Sequence, residues 1–217
     1  MQPNDQKDTI VSVLSADKDL LAPGRGQYDR LASRRERDRE QLERLLHATA
    51  IAFSKSAAPS VRDVVTVAGV SRNTFYQHFS NVEEALLASA AHAGAALDRA
   101  LSLRLAEERT PVARLRAVVR GSWEWLESEV HWNHIVRFTR STSNGQSSSA
   151  LRLSFHRALC SCLESSWLDM RQQGNISEPR LIAAVVGLEE LTRRYPRRDL
   201  NDKLEEEIVQ VLVRLFH

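Results

Sequence analysis

Arg72, Asn73, Thr74 and Gln77 lie in the run RNTFYQHF, and they are the residues of this chain best suited to reading the edge of a base pair. An arginine fork can bond O6 and N7 of guanine, asparagine or glutamine can bond N6 and N7 of adenine, and a threonine methyl packs on the thymine methyl. Such reading needs a short helix presented to a major groove by its N-terminal end, and a second helix that holds it at an angle. The neighbouring residues supply both. Ser71 can cap a helix over 72–78 whose apolar side is Phe75 and Phe79. Ser60 can cap a preceding helix over 61–68, with Val64, Val65 and Ala68 on one face. Gly69 follows, where a helix commonly stops in a left-handed turn, and Val70 fills the angle between the two helices. The run from Ser60 to Phe79 therefore predicts a helix-turn-helix. Arg62, and the N-terminus of the next helix at Asn81, are expected to add contacts to the DNA backbone through charge and free N–H groups. The opposing reading is a helical hairpin used only for packing. It leaves Tyr76, Gln77 and His78 around two inward phenylalanines without a purpose.

The pattern V-R-D-V-V-x-x-A-G-V-S-R-x-T-F-Y-x-H-F, from Val61 to Phe79, runs on into N-x-E-E-A-L-L, from Asn81 to Leu87. This arrangement resembles the DNA-binding domain of the TetR family of transcriptional regulators. The resemblance implies that Thr74, Tyr76 and His78 occupy positions that contact DNA, largely at phosphates. It also implies a homodimer on a palindromic or near-palindromic operator, joined as a four-helix bundle through helices over 178–194 and 201–216, and a small-molecule effector. Two positions depart from the pattern. Val82 stands where the family usually has a phosphate-pairing lysine, and Val65 where it prefers alanine, which predicts slightly wider spacing of the two motif helices.

Charge agrees with this placement. The net charge is +2, yet residues 25–82 hold ten Arg/Lys against six Asp/Glu, while 1–24 are net negative and 83–217 balance. The positive excess thus sits on the candidate DNA-binding segment, as a nucleic-acid footprint requires. Hydrophobic content of 42% with 27% charged residues is ordinary for a globular protein. There is no run of apolar residues long enough to span a membrane, and the N-terminus lacks the pattern of a signal peptide. Cys160 and Cys162 point about 200° apart on a helix and are expected to stay reduced, which favours a cytoplasmic protein.

Helical periodicity covers the rest of the chain, and no strand alternation with hairpin turns occurs. The expectation is an all-α protein of about nine helices, over roughly 38–55, 61–68, 72–78, 82–104, 111–130, 132–140, 150–173, 178–194 and 201–216. Residues 1–35 read as a disordered basic arm, either solvated or reaching an adjacent minor groove. Residues 36–83 read as the DNA-binding domain and 84–217 as an effector-binding and dimerisation domain. The last helix carries an apolar stripe from Leu204 to Leu215, and Glu205 to Glu207 face no basic cluster of their own, which suits a dimer interface. In the C-terminal half Trp123, Leu126, Phe138, Phe155, Leu159 and Trp167 are either core or the lining of an apolar cavity for an apolar or amphipathic effector. His131 and His134 at i and i+3 lack partners with convincing metal-ligand spacing, so no metal or other cofactor is expected. No nucleophile elbow, phosphate-binding loop or HExxH occurs, so an enzyme is not expected. The resulting expectation is a DNA-binding transcriptional regulator, a repressor released from its operator by a small ligand. The alternatives are a ligand-sensing helical protein with weakened DNA binding and a helical enzyme.

Overall fold

A computed structural model describes residues 34–129, 131, 156–166, 177–195 and 199–216. Among these there are eight helices and no strand. They are α1 (Arg34–Lys55), α2 (Val61–Ala68), α3 (Arg72–His78), α4 (Val82–Glu107), α5 (Pro111–Ser128), α6 (156–166), α7 (Glu178–Arg194) and α8 (Asp202–Phe216). The all-α class expected from the sequence holds. The helix expected over 132–140 and most of the arm at 1–35 lie outside the described residues. Arg34 and Arg35, placed in that arm by their sequence, instead form the first turn of α1.

The chain divides into two compact units, with the division between Ser89 and Ala90 inside the continuous helix α4. The first unit packs around Leu45, Val64, Phe75 and Ala85, one from each of its four helical segments, all fully buried. Ala48 and Ala52 join the same core from α1, and their small side chains let neighbouring helices approach closely. Two hydroxyls serve the same core. Thr49 Oγ1 donates to the Leu45 carbonyl at 2.7 Å, and Ser89 Oγ donates to the Leu46 carbonyl at 2.6 Å, joining α4 to α1. Each hydroxyl is thereby satisfied where water cannot reach it.

The second unit buries Leu97 and Leu101 of α4, Val118 and Trp123 of α5, Leu163 of α6, Val185 and Leu188 of α7, and Val209 and Leu212 of α8. Helix α5 begins with Pro111 in its first turn and with Thr110 Oγ1 accepting from the Ala113 N–H at 3.3 Å. Gly121 permits the approach of α4 to α5, because a Cβ there would stand 2.6 Å from Leu101 Cδ2. Ion pairs then fix α8 on α5. Arg120 makes a forked contact with Glu205 at 2.9 and 3.1 Å, and Arg116 pairs with Glu205 and Glu206. This corrects the reading of Glu205 to Glu207 as acidic residues without basic partners. The partners of Glu205 and Glu206 lie far away in sequence, on α5, with the Glu205 side chain 5% exposed between them, while Glu207 pairs with Lys203 one turn earlier on α8. No helix among the described residues is long and apolar enough to cross a membrane.

Candidate nucleic-acid interface

Local chemistry builds the motif. Ser60 caps α2 reciprocally with Asp63. The Asp63 N–H donates to Ser60 Oγ at 3.3 Å, and the Ser60 N–H donates to Asp63 Oδ2 at 2.8 Å. Those bonds from Ser60 hold the Asp63 carboxyl below its ordinary value. Gly69 closes α2 at φ 64°, ψ 34°, with its own N–H and that of Val70 both donated to the Val65 carbonyl. The left-handed conformation is open to glycine at no steric cost. Ser71 then caps α3, its Oγ accepting from the Thr74 N–H at 3.0 Å and lying 2.9 Å from Thr74 Oγ1.

Phe75 is 0% exposed and anchors α3 in the first unit's core, with the Phe79 ring centroid 5.7 Å away and the Tyr76 ring edge-on at 5.5 Å. Burial of Phe75 and Phe79 turns the opposite side of α3 outward. Arg72, Asn73, Tyr76 and Gln77 are all exposed, at i, i+1, i+4 and i+5. Tyr76 is 57% exposed, high for an aromatic side chain with apolar neighbours available. Arg62, in the first turn of α2, and Asn81, just before α4, are also exposed. Thr74 is half-buried and its hydroxyl is directed to Ser71.

Two site residues are placed differently from their sequence reading. Asn81 is not beside free N–H groups alone. Its Oδ1 accepts the Glu84 N–H at 2.8 Å while the Ser80 N–H donates to Glu84 Oε2 at 2.7 Å, so this helix end is already capped. The Ser80 bonds hold the Glu84 carboxyl below its ordinary value. His78, at the last position of α3, has a side chain only 11% exposed, and its Nε2 faces Asp38 Oδ1 of α1 at 3.6 Å. Sequence reasoning missed Asp38, because nothing local to either residue indicates the pairing. Val82 packs partly buried against the same core, and Val65 is buried within it.

The expected effector residues fall in the second unit. Leu126 and Leu159 line a crevice with Leu97, Ser122, Leu188, Glu189 and Thr192 that encloses about 20 Å³, room for one water. Trp123 is buried one helical turn beyond Val119 on α5 and donates Nε1–H to the Tyr195 carbonyl at 3.0 Å, so it serves as core. Phe138, Phe155 and Trp167 lie outside the described residues. At the edge of the crevice His156 Nε2 stands 2.8 Å from Glu189 Oε1. Burial, with the Asp98 carboxylate alongside, pushes the Cys162 thiol up to about 12, which makes it unreactive. Among the described residues no group of three or more His, Cys, Asp or Glu could hold a metal.

No family model matches the sequence, and no curated protein matches it. Solved structures do. The fatty acid degradation regulator FadR from Bacillus halodurans superposes with a TM-score of 0.64 at 15% identity, covering 79% of this chain and 97% of that one. FadR from Bacillus subtilis, in complex with stearoyl-CoA, gives 0.60 at 16% identity, covering 80% and 98%. A TetR-family transcriptional regulator from Streptomyces coelicolor gives 0.60 at 21% identity, covering 82% and 80%. Helix order, the capped helix-turn-helix and these superpositions agree: the chain has the fold of the TetR-family transcriptional regulators.

Proposed function

We propose that this protein is a sequence-specific DNA-binding transcriptional regulator, and not an enzyme, acting in the cytoplasm as a homodimer. The observation that carries the reading is the outward side of α3. Arg72, Asn73, Tyr76 and Gln77 are exposed together on a short helix whose other side is fixed by Phe75. In this reading Arg72, Asn73, Thr74 and Gln77 meet base edges, and Arg62, Tyr76 and the Asn81 amide meet the backbone. Each half of a two-fold operator takes one reading head.

The apolar surface of α7 and α8 supports the dimer. Ile182 is 50% exposed with Val186 exposed one turn later on α7, Val211 of α8 is 62% exposed, and a Cβ at Gly187 would meet nothing within 4 Å. Packing of α7 and α8 against their mates would cover these side chains. Gly187→Arg should therefore leave the protomer folded and shift the species seen by light scattering from dimer to monomer.

The protein acts as a repressor released by a small apolar or amphipathic effector held in the second unit. The crevice at Leu97, Leu126, Leu159 and Leu188 must widen from about 20 Å³ toward the roughly 300 Å³ of an ordinary ligand site to take it. An effector that fits only one spacing of the two reading heads shifts the population away from DNA. Val82 favours a second reading, a sensor with weakened DNA binding, because an apolar side chain replaces a phosphate-pairing lysine. A gel shift with DNA flanking the protein's own gene separates the two. A discrete complex that survives excess unrelated DNA supports the regulator, and binding equal on all sequences supports the second reading.

A further inference from the structure

We propose that His78 is a positioning residue for the reading helix, acting through Asp38 and not on the DNA phosphate. The inference rests on the DNA-reading role proposed above. His78 is the last residue of α3 and follows Gln77, one of the outward base-reading side chains. Its side chain is mostly buried, its Nε2 is shut off from solvent without a hydrogen-bond partner, and that atom faces Asp38 Oδ1 at 3.6 Å. Asp38 itself is 67% exposed, near the N-terminal end of α1. A ring turned inward in this way offers little to a phosphate. It does join the C-terminal end of α3 to α1, and a small movement of α3 toward α1 would convert the contact into a charge-assisted hydrogen bond. The cap at Ser71 fixes the opposite end of α3. With both ends held, Arg72 and Gln77 keep one placement relative to the core.

Placement matters to base reading far more than to attraction by phosphates, which depends on charge and tolerates small shifts. The two roles therefore give opposite expectations for Asp38. If only charge mattered, removing this carboxylate would tighten binding to every duplex. If Asp38 and His78 hold α3, its removal weakens the operator complex and leaves unrelated DNA bound as well as before or better. The experiment is a titration of wild type, Asp38→Asn, His78→Ala, His78→Gln and the Asp38→Asn/His78→Gln double variant on a selected operator and on unrelated duplex. Both titrations run at several salt concentrations, with active fractions fixed by stoichiometric binding.

The proposal expects Asp38→Asn and His78→Ala each to lower the operator-to-unrelated ratio about two- to fivefold, the range of a half-exposed polar contact to a carboxylate. It expects the salt slope to stay unchanged, His78→Gln to restore part of the ratio by keeping a donor toward Asp38, and the double variant to be no worse than Asp38→Asn alone. Equal losses on both duplexes with a shallower slope for His78→Ala, or tighter operator binding by Asp38→Asn, would overturn it in favour of a phosphate contact. An unchanged ratio with a lowered melting temperature would overturn it in favour of simple core filling. Wild type that prefers no duplex would refute the DNA-reading function itself, a result distinct from these.

Discussion

Gly69→Ala isolates the backbone geometry on which the motif depends. Gly69 sits at φ 64°, ψ 34°, and a Cβ built there meets nothing within 4 Å. A methyl group at this site therefore clashes with no neighbour, and its whole effect is conformational. An L-residue in the left-handed region costs about 1–2 kcal/mol. Loss of freedom in the unfolded chain returns about 0.4–1 kcal/mol. At the midpoints of these ranges the net expectation is a destabilisation of about 0.8 kcal/mol, which for a chain of this size lowers Tm by about 2–3 °C. Asparagine tolerates the left-handed region better than alanine, and a β-branched residue tolerates it worse. Thermal melts should rank Gly69 above Asn, Asn above Ala and Ala above Val. The folded fraction of Gly69→Ala should still bind operator, because the turn keeps its path. Equal melting of the glycine and alanine forms, or an asparagine form below alanine, would refute the argument that φ decides this position.

Three further expectations follow from the same geometry. Arg72→Ala or Gln77→Ala should relax preference at one position of each half-site by about 1–3 kcal/mol, read from a base-substitution panel; a uniform loss would move the residue to a backbone role. Val82→Lys should tighten binding to all duplexes and steepen the log–log salt slope of a dimer by about 2, at roughly 0.9 per phosphate contact. The lysine stem can keep the packing that Val82 now makes against the core while its ammonium reaches out; an unchanged slope would place the start of α4 away from the DNA backbone. Asp63 has its carboxyl held low by Ser60 in the folded state, so its contribution is complete above the unfolded value and is lost as pH falls through the lower folded one. Melts taken from pH 6 to pH 3 should therefore converge for wild type and Asp63→Asn below about pH 4, and a constant gap across that range would show the cap carboxylate to be unimportant.

What the sequence revealed was what neighbours in sequence decide. Ser60, Gly69 and Ser71 bound α2 and α3 through capping and turn chemistry that acts within a few residues, so those helices could be read to the residue. Phe75 and Phe79 fixed the inward side of α3 by spacing alone. The partner of His78 was invisible, because Asp38 approaches it only once α1 folds across the motif. For the same reason Glu205 and Glu206 read as unpartnered until α5 brought Arg116 and Arg120 beside them. Helical periodicity placed Val211 in the apolar stripe of α8, yet an amphipathic pattern does not say which apolar positions the protomer itself covers, and Val211 is left outside. The interior of the second unit was legible as apolar and aromatic. Whether Trp123 lined a cavity or filled one depended on its contact with Tyr195, a feature of tertiary packing.

The most direct measurement is a selection of duplexes from a random pool by the wild-type protein, repeated with Arg72→Ala. The account predicts an enriched sequence with two related half-sites about one helical turn apart, and a changed preference at one position of each half-site with the variant. No enrichment over unrelated DNA, or the same enriched sequence for both proteins, would contradict the claim that the exposed side of α3 reads DNA.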